Sequence, residues 1–237
     1  MNIKRLFNFI GIIFILGGAA FLMAPTAINS YSAARTDQLI ADFNSAVERE
    51  TSAGGNGILD KLKADIADYN TALITNGQDI KDPFFYEGES LDLTRYGFED
   101  NMFGYIEIPK LKLSLGIFMG AAEENMTKGA VHLDKTSIPV GGESTNSVIA
   151  AHRGAGRYGD MFRNIQRLEA GDSVFIVNPW ERLEYRVTEI FTIEPDDINK
   201  ILIQEGKDML TLVSCHPYGS SRYRYIVYCE READANE

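Results

Sequence analysis

The sequence predicts a mainly β protein, a closed or nearly closed barrel carried behind one apolar N-terminal helix and two stem helices. Three observations predict it. From Met102 onward come short β-prone runs separated by turns: MFGYIEI, LKLSLGIF, SVIAA, DSVFIVN, LEYRVTEIFTI, DMLTLVSC and RYIVYC. Few helical patterns interrupt them, which suits a barrel or sandwich better than alternating βαβ units. Ahead of them lie two segments with helical apolar spacing, and ahead of those an uncharged apolar stretch.

That stretch runs from Leu6 to Ala24. As a helix rising about 1.5 Å per residue it spans roughly 28 Å, enough to cross a bilayer. Lys4 and Arg5 precede it, which predicts a cytoplasmic N-terminus (residues 1–5), a membrane anchor (6–24) and an extracytoplasmic remainder. A cleaved signal peptide is the competing reading. Small residues do occupy Ala24 to Ala27, but Pro25 sits awkwardly for cleavage and the apolar run is long, which favours an uncleaved anchor.

Residues 25–78 read as a helical stem. Ile28, Tyr31, Ile40, Phe43 and Val47 form one apolar stripe, and Ile58, Leu62, Ile66, Tyr69 and Leu73 a cleaner one, with the turn SAGGNG between them. Over residues 79–100 the pattern fails and Pro, Gly and acidic residues dominate; a loop this long suggests a functional role. The barrel unit follows over 101–232, and a short charged tail occupies 233–237.

Composition narrows the function. With 45% hydrophobic and 11% aromatic residues the chain can build a core. The formal net charge of -11 argues against a nucleic-acid partner, which would need clustered Lys and Arg. No spacing of His, Cys and carboxylates matches a metal site, so catalysis by zinc is not expected.

Cys215 and Cys229 are the two cysteines. They lie on DMLTLVSC and RYIVYC, joined by the turn-rich HPYGSSRY, which reads as a hairpin. If Cys215 faces Arg224 across it, Cys229 faces Leu210, about 17 Å away at roughly 3.4 Å per residue. A disulfide requires Cα atoms within about 7 Å, so one or both thiols are expected to be free. A free thiol outside the cell is a candidate nucleophile. Cys229 lies an odd number of positions from Arg224 and should point to the other face as a packing residue.

Cysteine attack on a peptide carbonyl needs a proton donor for the leaving amine and a cation or hydrogen-bond donor for the oxyanion. His152 ends SVIAA and opens the Gly-rich HRGAGRYG, where a strand delivers a side chain to a rim. A lone histidine there is more often structural; its combination with Cys215 and Arg224 makes it the candidate acid and base. His132, before a Pro-containing turn, and His216, on the opposite parity from Cys215, are weaker candidates.

At these residues a family resemblance emerges. TLVSC followed by HPYGSSRYR resembles the TLxTC strand and downstream arginine of sortases, and GYIEIPKL with KGAVHLDKTSIPVGGESTNSVIAAHRG is similar to their barrel and histidine segment. Ser214 and His216 stand where threonine is usual. The resemblance implies an eight-stranded sortase-type barrel and a cysteine transpeptidase without a cofactor. In it Cys215, His152 and Arg224 would cleave an LPxTG-like sorting signal of a pilin or surface protein through a thioester. KDPFF resembles the Asp-Pro-aromatic lid of class C, pilin-building sortases, implying that Asp82, Pro83 and Phe84 cover the site. Asp82 would then meet Arg224 and Phe84 would cover Cys215. The acceptor would be a pilin lysine, or alternatively the amine of a cell-wall precursor. Many class C members carry a second, C-terminal span that is not seen here. An L,D-transpeptidase would need an SHGC-type segment, and a wall or pilus structural subunit its own sorting signal; neither is present.

Overall fold

The structure is a computed structural model that describes residues 3–52, 56–80, 82, 84, 91–98, 101–154 and 159–232. Pro83, part of the SAGGNG turn and the 233–237 tail lie outside the described residues.

Helix α1 (Ile3–Ser52) runs unbroken through Pro25, and its first half is the described helix long and apolar enough to cross a membrane. Phe14, Phe21 and Leu22 are 77%, 80% and 77% exposed, leaving an apolar surface that no described part of the chain covers. Helix α2 (Asn56–Asn76) follows. As its spacing predicts, Leu62, Ile66 and Leu73 are buried, with Ile58 and Tyr69 packed against the same core.

The first stem stripe is only partly as expected. Phe43 is buried and Ile40 and Val47 pack inward, but Tyr31 is 73% exposed. The inward stripe of α1 begins instead with polar residues, Asn29, Ser32 and Thr36, spaced three and four apart. Asn29 Nδ2 donates to Asp160 Oδ2 at 3.2 Å. Ser32 lies so close to Gly159 that a Cβ there would sit 2.4 Å from its Oγ. An apolar count cannot find a stripe whose contacts are hydrogen bonds and a glycine.

Strands β1 (Met102–Ile108), β2 (Leu113–Met119), β3 (Ala130–His132), β4 (Thr145–Ala150), β5 (Ser173–Val177), β6 (Arg182–Ile193), β7 (Asp208–His216) and β8 (Tyr223–Arg231) close into a barrel in the order β1-β2-β3-β4-β7-β8-β6-β5. The eighth strand is β3. At three residues it shows no periodicity of its own, and the short helix α3 (Glu123–Lys128) returns the chain so that β3 runs parallel to β2. The segment before β1 is less irregular than expected: Leu93–Tyr96 form a 3-10 turn capped by Asp92 and by Gly97 at φ 82°. Its Leu93 and Tyr96, with Phe98, are buried.

Side chains alternate along the strands between two cores. Leu210, Leu212, Val227 and Cys229 fill the barrel with Ile106, Ile149 and Phe162. Met209, Val213, Ile226 and Tyr228 face outward and pack in the same cluster as Phe43, Leu62 and Ile66 of the stem helices. Burial at roughly 25 cal/mol per Å² of apolar surface rewards both faces of this sheet. Hydrogen bonds add direction: Ile138 N donates to Asn70 Oδ1 at 2.9 Å and Gln78 Nε2 to Lys135 O at 2.9 Å, fixing α2 on the β3–β4 connection.

Candidate active site

Strands β4, β7 and β8 lie side by side; Cys215 is on β7, Arg224 on β8, and His152 two residues past the end of β4. The β7–β8 hairpin pairs Cys215 with Arg224 and Leu210 with Cys229, the register read from the turn. Both thiols are free; Cys229 is fully buried inside the barrel and Cys215 is partly exposed. Burial drives the Cys229 thiol far up, leaving it protonated and inert.

His152 reaches Cys215 by a route the sequence does not contain. β4 runs parallel to β7 with Ala150 beside Val213, and Ala151 N donates to Val213 O at 3.2 Å. Continuing that register two residues past the end of β4 brings His152 level with Cys215, with the parity of Ala150 and Val213, which face the outer core. His152 is held there by its carbonyl, which accepts from Phe162 N at 3.0 Å. His216 has the opposite parity from Cys215, and its ring lies 5.5 Å from that of Tyr225. His132 is buried and bonded through Nε2 to Ser137 O at 3.0 Å; desolvation lowers it to about 4, so it stays neutral.

Arg224 is almost wholly buried. Its Nη1 donates to Ser221 O at 2.8 Å and Tyr223 O at 3.1 Å, and its Nε to Asp82 Oδ1 at 2.9 Å, while Nη2 closes the fork on Asp82 Oδ2. Phe84 lies over the same group: its ring centroid is 5.0 Å from the guanidinium carbon and 6.0 Å from the His152 ring. Asp82 and Phe84 thus sit against Arg224, the cross-strand neighbour of Cys215, and Phe84 also against His152. Pro83 between them lies outside the described residues.

Burial is the main influence on Cys215 and pushes its thiol up; Arg224 pulls it down, Asp82 pushes it back up, and Arg153 pulls it down again. With the loop in place the site therefore favours the neutral thiol. Arg153 was not among the sequence candidates. It follows His152, is 7% exposed, and its Nη1 donates to the Cys215 carbonyl at 3.2 Å. An arginine in a Gly-rich loop reads as solvated, and only the fold turns it inward.

A closed mixed barrel, with a cysteine facing an arginine across one hairpin and a histidine on the parallel neighbour, defines a sortase fold. The sortase domain family matches residues 106–232. The chain belongs to the sortase family. Its structural neighbours are class C sortases. Sortase C1 of the group B Streptococcus pilus island 1 is 32% identical at a TM-score of 0.73, covering 84% of this chain and 98% of that one. Streptococcus pneumoniae sortase C is 30% identical at 0.73, covering 83% and 97%. Sortase D of Bacillus subtilis is 29% identical over 131 residues; the match takes in 54% of this chain and 63% of that protein. The chain spans less than two thirds of that curated relative.

Proposed function

We propose that this protein is a class C sortase that polymerises pilins. The Cys215 thiolate attacks the carbonyl carbon before the last glycine of an LPxTG-like sorting signal, and the tetrahedral intermediate collapses to a thioester as the C–N bond breaks. His152 gives the leaving amine its proton. It then takes a proton from an incoming pilin lysine, whose amine attacks the thioester, forms an isopeptide bond and returns the sulfur. Arg224 directs its fork of donors at the oxyanion or the peptide once Asp82 has left it. The apolar half of α1 anchors the chain by a single pass, with the barrel outside the cell.

The observation that carries the class C reading is the seating of Asp82 on Arg224 and of Phe84 on Arg224 and His152. A loop that occupies the peptide's position makes an enzyme that waits for its substrate. The structural neighbours support it, since the group B Streptococcus protein is named for a pilus island and the pneumococcal one is described in terms of pilin substrate specificity.

The test is to incubate the protein with an LPxTG-type peptide and either a lysine-bearing pilin segment or a wall-type oligoglycine amine, mapping adducts by mass spectrometry. The expected acyl adduct is on Cys215, is lost in Cys215→Ala and kept in Cys229→Ala, and is resolved by the lysine. An adduct on Cys229 would overturn the mechanism. Transfer to the wall-type amine alone would replace pilus building with wall anchoring.

A further inference from the structure

We infer that Arg153 is a positioning residue that keeps near Cys215 a positive charge that no described carboxylate meets, and pins the end of β7, whether the lid is open or closed. This rests on the proposal that Cys215 works as a thiolate.

Arg153 and Arg224 are both buried arginines beside one cysteine, yet they are partnered differently. Arg224 meets the Asp82 carboxylate. Arg153 meets neutral groups: Nη1 donates to Cys215 O at 3.2 Å, Nη2 to Gln166 Oε1 at 2.7 Å, and its guanidinium carbon lies 5.7 Å from the Tyr225 ring centroid. Its Nε is buried with no hydrogen-bond partner among the described residues. A buried cation with neutral partners and an unsatisfied donor is costly, and such an arrangement is relieved when an anion forms nearby.

The anion at hand is the thiolate. Among the described residues, the charged and titratable groups on Cys215 are Asp82 and Arg224 from the lid side and Arg153 from the loop after β4, in which His152 also lies. Those facing Arg153 are Cys215 and Tyr225, with the His216 ring 5.5 Å from that of Tyr225. While the lid is closed, Asp82 offsets part of the pull of Arg224 on the sulfur, whereas no described carboxylate contacts Arg153, whose smaller pull acts in the same direction. Its bond to the Cys215 carbonyl also fixes the backbone from which the sulfur projects. Arg153 adjoins His152 in sequence, so one side chain ties the histidine loop to the cysteine strand.

The test is the pH dependence of Cys215 alkylation by iodoacetamide in the full chain held in detergent, with buried Cys229 as the internal control. Arg153→Gln should move the midpoint up, by up to about one unit, and slow alkylation at pH 7 by up to about tenfold, because a nearby cation favours the charged form of an acid. Gln166→Glu should shift it in the same direction without removing Arg153, since the new carboxylate would neutralise the guanidinium. Arg153→Lys should recover much of the lost rate. Both upward shifts should persist in an Asp82→Ala background. Unmoved midpoints in Arg153→Gln and Gln166→Glu would overturn the inference, and if Arg153→Gln does not fold, Gln166→Glu alone decides. Peptide cleavage by the parent protein is scored separately. Cleavage with unmoved midpoints rejects only the role of Arg153, whereas shifted midpoints in a protein that cleaves no sorting peptide reject the sortase mechanism and leave the charge relation standing.

Discussion

Replacing Asp82 with Ala should speed alkylation of Cys215, and the size of the effect follows from the lid contacts. Asp82 grips the Arg224 guanidinium through two oxygens, and the side chains are 11% and 2% exposed, so the pair is largely out of water. Hydrogen bonds to charged groups contribute about 1.5–3 kcal/mol each, and ordering the loop opposes them at about 1–2 kcal/mol per fixed residue. A net preference of about 2 kcal/mol for closure leaves about 3% of molecules open, so removing the latch gains up to about thirtyfold. A second effect adds to it. The Asp82 carboxylate pushes the thiol up while Arg224 pulls it down, so its removal also favours the thiolate. The assay is the alkylation rate with a small reagent from pH 6 to 11, with no pilin present. Gating multiplies the rate at every pH; the charge effect fades once the pH exceeds the thiol's own value in both proteins. Phe84→Ala, which leaves the ion pair, should give a smaller gain that does not vary with pH. Equal rates in Asp82→Ala and the parent across the range would refute the latch and favour a sortase whose groove is always open.

Arg224→Lys should lower peptide cleavage by about 100-fold or more, because a single ammonium cannot supply the fork that now reaches Asp82, Ser221 and Tyr223; activity within about threefold of the parent would reject that role. His152→Ala should fail as badly while His216→Ala retains activity, a contrast read from initial rates with one peptide. His132 makes a pH-dependent contribution to stability: its folded value of about 4 lies below the unfolded value near 6.5, so its contribution is full above 6.5 and is lost as pH falls towards 4. At pH 5 the loss comes to about 2 kcal/mol. Thermal unfolding should therefore steepen its decline over pH 6.5 to 4, and His132→Gln should flatten that slope; parallel slopes would show the histidine to be accessible to protons.

The hairpin was legible in the sequence because its information is local. Two β runs of period two joined by a turn allow few registers, and the pairing of Cys215 with Arg224 fixes by parity that Cys229 must enter the barrel. The α2 stripe was legible for the same reason, its contacts being apolar and evenly spaced. Strand β3 was not, since three residues carry no period and its place depends on a parallel partner reached through α3. The polar stripe of α1 escaped an apolar count because Asn29 and Ser32 meet one particular loop, at Asp160 and Gly159.

The sequence by itself determined which groups were available: two cysteines on opposite faces of one hairpin, a histidine at a strand end, an arginine opposite Cys215 and, through a family resemblance, Asp82 and Phe84 as the proposed lid. Only the tertiary structure decided how these meet. His152 is carried toward the Cys215 end of β7 because β4 and β7 pair in parallel, and Asp82 reaches Arg224 across a separation of 142 residues. The charge state of the sulfur depends on which groups are stripped of water together, and Arg153 enters that balance only because folding buries it. Spacing along a chain records periodicity and parity; burial and long-range charge depend on how the whole chain closes on itself.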